Sequence, residues 1–283
     1  MKIRDVCIMD HCLRFEEKKF NSSTKDMPKF HYHDFYEIYY LFSGKLHYLI
    51  EDNLFDINAG DIVLINKNKL HMTKKPDTLY GENIKIYIDD NCMDSLGINS
   101  EKFKDCFEFI HIIIPDRKKK YIEEIFTKIR REYKNDDFFS KQITNNLVYE
   151  LMANVYKLIF VDKEDNYIDS FSTETKEINI VIRYVYNNYS EELTLSKIAR
   201  LVNMNPSYFS RCFKKNIGIG LMDYVNNIRI KNAVSLISDT NMSLTEIAHS
   251  CGYNNQSYFC RQFKKIVGCS AREYKTIKKT EGI

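Results

Sequence analysis

Two segments in the last third of the sequence repeat the same order of polar, aromatic and basic residues. One begins at Ser207 and reads Ser-Tyr-Phe-Ser-Arg-Cys-Phe-Lys-Lys; the other begins at Ser257 and reads Ser-Tyr-Phe-Cys-Arg-Gln-Phe-Lys-Lys. Arginine pairs with guanine edges and glutamine or asparagine with adenine edges, whereas lysine neutralises phosphate. These residue types, arranged twice at the same spacing, indicate contact with nucleic acid.

Helical spacing divides each segment into a buried face and an outer face. Two phenylalanines lie four residues apart in each copy, so each pair packs on one side of a helix. The outer positions near each helix start are predicted to read base edges; they are Ser207, Ser210, Arg211, Asn255, Gln256, Ser257 and Arg261. The lysines that end each helix are predicted to contact phosphate; they are Lys214, Lys215, Lys264 and Lys265.

A shorter apolar pattern precedes each segment and completes a two-helix unit. It reads Leu-Ser-Lys-Ile-Ala-Arg from Leu195 and Leu-Thr-Glu-Ile-Ala-His from Leu244. The two copies are offset by 49 residues before the turn and by 50 after it, which places a one-residue insertion in a loop. Asn203 and Gly252 stand where a left-handed backbone would turn the chain. Each copy therefore predicts a helix-turn-helix unit.

Two other interpretations of the repeat are a helical bundle with solvated faces and a helical domain that binds only proteins. Two copies with matched cores, arginines and lysine pairs argue against the bundle. Charge also favours DNA: residues 174–283 hold 16 Lys and Arg against 9 Asp and Glu, net +7, whereas residues 1–173 carry net −4. A basic domain gains affinity by releasing the counterions of double-stranded DNA.

The elements that position these residues are helices. Apolar periodicity and breaks at Asn, Pro or Gly predict seven of them, over 178–189, 195–201, 207–215, 221–237, 244–250, 256–266 and 271–277. The preceding segment 161–175 is polar and without periodicity, which predicts a linker between two domains.

The first half of the chain has a different pattern. Short aromatic and β-branched runs at 37–42, 46–50, 62–65 and 84–88 alternate with turn formers, as in an antiparallel sandwich or barrel. Helical periodicity follows over 116–131 and 139–160. Ile143, Leu147, Leu151 and Val155 share one helix face, which either forms a homodimer contact or packs against the barrel.

Composition excludes several classes of protein. No run reaches the roughly 18 to 20 apolar residues of a membrane span, and the charged start does not resemble a signal peptide. We therefore expect a cytoplasmic protein without a membrane partner. The 8 cysteines include no Cys-x-x-Cys pair and predict neither a zinc site nor a disulfide framework. We find no phosphate-binding loop and no nucleophile with a base, so we expect no enzyme, no catalytic residues and no cofactor.

Residues 178–277 resemble the AraC/XylS family of transcription regulators. The most specific match is Ile-Ala-His-Ser-Cys-Gly-Tyr-Asn-Asn-Gln-Ser-Tyr-Phe-Cys-Arg-Gln-Phe-Lys-Lys from Ile247, together with the connecting helix around 224–233. The resemblance implies two recognition helices entering successive major grooves of promoter DNA, about 34 Å apart. It also implies RNA polymerase as a partner and activation of metabolic genes, carbohydrate genes among them. The chain departs from the family at Asn203, where Gly is usual, and at Ala271, where Pro is usual.

The pattern His31-x-His33-x-x-x-Glu37, with His71 further on, resembles the motifs of the cupin barrel. In cupin enzymes such residues bind a divalent metal, whereas regulators of the AraC type use the same skeleton as a pocket for a small-molecule effector. Asn66 and Asn68 replace the Pro and Gly common in the second motif. We therefore assign the four residues to an effector pocket and keep a metal site as the alternative. Nearby tyrosines at 36, 39, 40 and 48 would suit a sugar.

The sequence thus predicts an α+β chain of two domains. Residues 1–170 are expected to form a cupin-like antiparallel β-barrel with following helices, which senses an effector; a homodimer contact through those helices is one of the two alternatives given above. Residues 176–280 are expected to form an all-α, seven-helix double helix-turn-helix domain. The predicted function is a ligand-responsive, sequence-specific activator; the alternative is a metal-dependent cupin enzyme fused to a DNA-binding module.

Overall fold

The computed structural model describes residues 13–21, 29–74, 80–96, 100–135, 137–162 and 176–280. Within these ranges two antiparallel sheets precede a set of helices. The larger sheet has the order β1 (Leu13–Phe20), β7 (Gly81–Ile88), β2 (Tyr36–Ser43), β5 (Ile62–Ile65) and β8 (His111–Ile112). The smaller sheet has the order β4 (Asn53–Asn58), β3 (Lys45–Ile50) and β6 (His71–Lys74).

Strand β2 is buried on both of its faces, which fixes the direction of every side chain along it. Tyr39 and Leu41 point between the two sheets, where they pack with residues of β3 and β5. Ile38 and Tyr40 point the other way and pack against helices. Because successive side chains of a strand alternate, Glu37 shares the inner direction with Tyr39 and Leu41.

Four helices cover the outer face of the larger sheet. They are α1 (Asp90–Ser95), α2 (Ser100–Cys106), α3 (Asp116–Glu132) and α4 (Phe138–Tyr156), and a π-helical turn continues α4 over Lys157–Val161. Leu147, Leu151 and Val155 are buried in the same cluster as the sheet, whereas Ile143 is exposed. Packing within the chain, rather than a homodimer contact, accounts for the first three.

Seven helices follow over residues 176–280, as the sequence predicts. They are α5 (Lys176–Asn187), α6 (Leu195–Leu201), α7 (Pro206–Ile217), α8 (Leu221–Asp239), α9 (Leu244–Ser250), α10 (Gln256–Val267) and α11 (Ala271–Thr280). Gly218 and Gly268 end α7 and α10 with φ of 87° and 93°, the left-handed C-cap that glycine allows. The two units thus begin and end alike.

The smaller sheet carries the helices α5 and α8 on its outer face. Leu49, Leu54, Leu70 and Met72 from the sheet are buried in one cluster with residues of α5 and α8. The backbone N–H of Leu54 donates to the side-chain oxygen of Asn179 at 3.1 Å, and the hydroxyl of Tyr224 donates to the carbonyl of Glu51 at 3.4 Å. The two halves of the chain are therefore in contact through both apolar and polar groups.

Several elements were not predicted from the sequence. Strand β1 has the sequence Leu-Arg-Phe-Glu-Glu-Lys-Lys-Phe and pairs with β7 at the edge of the sheet. Its many charged residues do not follow the apolar pattern by which strands were predicted. Strands β6 and β8 and helices α1 and α2 are too short for a clear period, and β4 (Asn-Leu-Phe-Asp-Ile-Asn) lacks a regular alternation of apolar and polar residues. His31 forms only an isolated bridge with His71, and His33 lies outside any strand. Most of the predicted linker, 163–175, lies outside the described residues.

Among the described residues, no helix is long and apolar enough to cross a membrane. The turns of the two helix-turn-helix units agree with the sequence: Asn203 has a φ of 52° and Gly252 a φ of 79°. Asn68 likewise takes a positive φ, 60°, and so provides the turn for which cupins use glycine.

We predict that Gly252→Ala destabilises the chain more than Asn203→Ala does. Alanine at either position must adopt a left-handed backbone, at about 1 kcal/mol. At position 252 a β-carbon would also lie 2.5 Å from the carbonyl oxygen of Ser190, so the backbone must shift at a further cost of about 1–3 kcal/mol. Urea unfolding of both variants measures the difference, and equal losses of free energy would contradict it.

Candidate DNA interface and histidine site

The second helix of each helix-turn-helix unit has one buried face and one exposed face. In α7 the buried residues are Phe209, Phe213 and Ile217, and in α10 they are Phe259, Phe263 and Val267. All residues predicted to read bases or to contact phosphate are exposed: Ser207, Ser210, Arg211, Lys214, Lys215, Asn255, Gln256, Ser257, Arg261, Lys264 and Lys265. The structure thus brings them onto two matching outer faces.

An asparagine caps each of these helices. The side-chain oxygen of Asn205 accepts from the backbone N–H groups of Ser207 and Tyr208, and that of Asn255 accepts from the N–H of Tyr258 at 2.9 Å. An N-cap fixes the first turn of a helix. Asn255 therefore has its amide N–H groups and one lone pair of its side-chain oxygen left for contact with a base.

Helix α8 joins the two units by contributing to both of their cores. Its first half, with Tyr224 and Ile228, is buried with the first unit, and its second half, with Ala233 and Ile237, is buried with the second. This shared burial leaves no flexible connection between α7 and α10.

Two buried polar residues of α8 strengthen the connection. Arg229 donates to the carbonyls of Tyr189 and Glu191 at 2.7 and 2.8 Å, and burial lowers the pKa of its guanidinium. Asn226 accepts from the hydroxyl of Tyr253 at 2.9 Å and donates to that of Tyr258 at 3.0 Å. Sequence reasoning did not select either residue; the only signal is that both fall between apolar positions on the buried face of α8.

The four residues His31, His33, Glu37 and His71 come together inside the barrel. One potential ligand atom from each lies within 4.8 Å of all the others. Glu37 is on β2 and points between the sheets, His71 is on β6, and the other two histidines lie on the segment before β2. The Nε2 atoms of His33 and His71 lie 2.8 and 3.5 Å from Oε2 of Glu37.

Backbone carbonyls orient all three imidazole rings. Nδ1 of His31 lies 3.2 Å from the carbonyl oxygen of Lys29. The corresponding distances are 3.1 Å from Nδ1 of His33 to the carbonyl oxygen of Phe35 and 2.8 Å from Nδ1 of His71 to that of Lys69. Because a carbonyl only accepts, a proton on Nδ1 satisfies each of these contacts, whereas the contact of Nε2 of His33 with Glu37 calls for a proton on Nε2. Within the described residues, the buried Nε2 of His71 has no hydrogen-bond partner.

The two oxygens of Glu37 have different neighbours. Oε1 accepts from the hydroxyl of Tyr48 and pairs with Lys85, both at 3.4 Å, whereas Oε2 faces the histidines. Burial acts to raise the pKa of Glu37, but Lys85 and the hydrogen bond from His33 hold it well below its ordinary value. The carboxyl group is therefore ionised although it is fully buried.

Burial also keeps two of the imidazoles neutral. It lowers the pKa of His31 to about 3 and lowers that of His71 as well. Neutral imidazoles and an ionised carboxylate are the forms that bind metal ions. The donor set and its spacing therefore fit a single divalent cation, held by three Nε2 atoms and Oε2 of Glu37.

The four tyrosines near this site do not act together. Tyr39 and Tyr48 lie between the sheets, with ring centroids 5.3 Å apart. Tyr36 and Tyr40 face the helices instead, where Tyr40 stacks on Phe126 at 4.2 Å. A cage of four aromatic rings around a sugar is therefore not present in the described part of the barrel.

Comparison with known proteins agrees with both halves of the geometry. Residues 20–89 match the family model described as "AraC-like ligand binding domain", and residues 198–277 match a model described as "Helix-turn-helix domain". The chain belongs to the AraC family of transcription regulators.

Relatives of this AraC-family chain include regulators of similar length and longer ones. It is 26% identical over 281 residues to the HTH-type transcriptional regulator YdiP of Escherichia coli, covering 93% of this chain and 86% of that protein. It is 23% identical to the Msm operon regulatory protein of Streptococcus mutans, covering 86% and 84%. The HTH-type transcriptional regulator YtdP of Bacillus subtilis is 30% identical, but this chain spans only 20% of its length.

Solved structures are similar over one half or over both. The C-terminal domain of AraT from Geobacillus stearothermophilus is 32% identical, with a TM-score of 0.36, covering 38% of this chain and 88% of that one. ToxT of Vibrio cholerae is 16% identical, with a TM-score of 0.39, covering 93% and 97%.

The AraC-family chain has one exposed residue on α7 that sequence reasoning missed. Tyr208 is 56% exposed beside Ser207, whereas its repeat equivalent, Tyr258, accepts from Asn226 and lies under Arg261, whose guanidinium carbon is 5.7 Å from the ring centre. The two tyrosines are identical in sequence context, so only the structure separates them. Lys265 also differs from its equivalent, Lys215, because it pairs with Asp223 at 3.1 Å.

We predict opposite effects for alanine at the two tyrosines. Tyr258→Ala should lower the free energy of unfolding by about 1–3 kcal/mol because it removes a partly buried ring and leaves the side-chain N–H of the buried Asn226 without its acceptor. Tyr208→Ala should change it by less than about 0.5 kcal/mol but weaken DNA binding, since an exposed phenol on this helix can bond to DNA phosphate. Denaturation and fluorescence-anisotropy titration measure the two quantities. A Tyr208→Ala protein that binds DNA like the parent would refute this assignment.

Proposed function

We propose that this DNA-binding transcription regulator recognises a specific promoter sequence through α7 and α10 and responds to an effector bound in its barrel. The observation that carries the proposal is the pair of matching exposed faces, each with an arginine in its middle and two lysines at its end, held by one shared helix. A rigid pair of such helices suits two adjacent major-groove segments.

The alternative of a metal-dependent cupin enzyme is not favoured. The family models describe a helix-turn-helix domain and an AraC-like ligand binding domain, and the relatives are named as regulators rather than as enzymes. Activation of metabolic genes, contact with RNA polymerase and homodimer formation are proposed on the family resemblance. For a homodimer contact, the start of α4 is the surface that the structure offers, since Phe138 and Phe139 are 76% and 74% exposed.

The effector site is proposed at His31, His33, Glu37 and His71. Its support is the convergence of four polar groups inside the barrel, next to the sheet that carries α5 and α8. An effector acts only through a difference in affinity between two arrangements of the protein, so a site beside the contact between the two halves is well placed.

The first test is selection of binding sites from a random DNA pool at two salt concentrations. We expect a motif of two blocks about one helical turn apart, which is the spacing of successive major grooves. Enrichment of no motif at either salt concentration would contradict sequence-specific recognition.

Variants of the two recognition helices should then separate base contacts from phosphate contacts. Arg211→Ala and Arg261→Ala should each reduce discrimination at one block by about 1–3 kcal/mol, because a bidentate arginine contact is lost. Lys214→Ala and Lys264→Ala should weaken all sequences alike and reduce the slope of log affinity against log salt by about 1. Affinity titrations on the selected site and on single-base variants make the measurement. Identical behaviour of the four variants would refute these roles.

A further inference from the structure

We propose that His31, His33, Glu37 and His71 bind one divalent transition-metal ion, and that this ion stiffens the face of the barrel on which the DNA-binding helices rest. The inference builds on the effector site proposed above and names the chemical class of its ligand.

The geometry around the donors favours an ion over an organic molecule. All four donor atoms lie within 4.8 Å of one another, a space that suits one ion at about 2.0–2.2 Å from nitrogen and oxygen ligands. Three imidazole nitrogens favour a transition metal over Mg²⁺ or Ca²⁺, which prefer oxygen.

The hydrogen bonds around the four ligand side chains resemble those that orient the ligands of a metal site. Each imidazole has its Nδ1 within hydrogen-bond distance of a backbone carbonyl, which turns its Nε2 inward. Such contacts orient histidine ligands in metalloproteins and fix their tautomer. Tyr48 and Lys85 occupy only Oε1 of Glu37, so that Oε2 is the oxygen presented to the ion.

The spacing of the nitrogen and oxygen atoms also fits coordination of one ion. Nε2 of His33 lies 2.8 Å and Nε2 of His71 lies 3.5 Å from Oε2 of Glu37, separations that two ligands of the same ion can adopt. The buried Nε2 of His71 has no hydrogen-bond partner among the described residues, and its lone pair is available to the ion.

Two backbone segments carry the ligands on one side and the contact with the DNA-binding helices on the other. His31 and His71 face each other across the bridge formed by their backbone hydrogen bonds of 3.0 and 2.9 Å. Their sequence neighbours point away from the site, as alternation in an extended chain requires. These neighbours are Phe30 and Tyr32 on one segment and Leu70 and Met72 on the other.

The same neighbours touch the helices of the DNA-binding half. The ring of Phe30 is 5.6 Å from that of Tyr224 on α8, and Leu70 and Met72 are buried in the cluster with α5 and α8. Tyr32 packs with residues of both helix-turn-helix cores. Phe30, Tyr32 and Leu70 further line a groove with Ile230 and Lys231 of α8 and with Ile266 and Val267 of α10.

An ion that ties the two segments together therefore also fixes the surface under α5 and α8. Metal binding and the contact between the two halves are then coupled, and the coupling is reciprocal. The bound ion acts through the backbone bridge between His31 and His71, and this effect needs no movement of the recognition helices themselves.

The test uses the full chain, stripped of metal with a chelator and titrated with Zn²⁺ and with Co²⁺, and with Mg²⁺ as the hard-cation comparison. We expect one equivalent of Zn²⁺ or Co²⁺ by calorimetry, the visible absorption of Co²⁺ bound to nitrogen and oxygen ligands, and no binding of Mg²⁺. Hydrogen exchange should slow on metal addition in residues 29–33 and 70–72 and also in α5 and the first half of α8.

Matched variants separate the site from general effects of losing a histidine. His33→Gln and Glu37→Gln should weaken Co²⁺ binding by about 10- to 100-fold or more. His47→Gln is the control, because His47 has a similar exposure, 24% against 17% for His33, and pairs with Asp56 outside the cluster. Circular dichroism and the melting temperature verify that each variant is folded; because the side chain of His33 is partly exposed, its variant tests the site even where the buried Glu37→Gln variant does not fold.

The outcomes also distinguish this inference from the proposed function. If the chain selects a DNA motif but binds neither Zn²⁺ nor Co²⁺, promoter recognition stands and the metal site is overturned. The metal site is likewise overturned if the His33→Gln variant binds these ions as tightly as the parent chain does. Metal binding that slows exchange only inside the barrel overturns the coupling. Metal binding without a selected DNA motif would instead contradict the proposed function and leave the metal site standing.

Discussion

Helix α8 belongs to two hydrophobic cores at once, and the arrangement of the DNA-binding half depends on this double burial. Its first half completes the core of α5, α6 and α7, and its second half completes that of α9, α10 and α11. An apolar helix shared in this way cannot leave one unit without exposing its surface to water, at roughly 25 cal/mol for each Å². The orientation of the two recognition helices is therefore a property of the core and not of a linker.

A similar constraint organises the barrel. Strand β2 is buried on both sides, so that each of its residues must serve either the space between the sheets or the helices outside. A charge on the inner side is costly to bury unless it is paired. Glu37 occupies such a position, and Lys85, Tyr48 and His33 surround it, which is why this barrel contains a polar cluster within an otherwise aromatic interior.

The sequence predicts most of the second half of the chain because its elements are local and occur twice. Each predicted helix of that half is present, with ends shifted by a few residues, since Asn caps, Gly C-caps and phenylalanines four residues apart are all visible in the chain. The sequence predicts less of the barrel, because strand β1 pairs with β7, which lies far away in sequence, and β4 lacks a regular apolar alternation although it forms a hairpin with its neighbour β3. The sequence shows the residue types of the histidine cluster. It does not show the distances between the donor atoms or the orientation of the imidazole rings, which depend on backbone carbonyls that the fold brings into place. The difference between Tyr208 and Tyr258 likewise arises from Asn226 on a distant helix.

The buried guanidinium of Arg229 binds the carbonyls of Tyr189 and Glu191, just after α5. It thereby ties the connection between α5 and α6 to the middle of α8, close to the boundary between the two cores. Because α5 and α8 are also the helices that rest on the smaller sheet, the seven helices α5 to α11 meet the barrel at the place where Arg229 joins them to one another. A displacement there would rotate both recognition helices together, changing how the pair meets the DNA axis while keeping the number of base pairs between them.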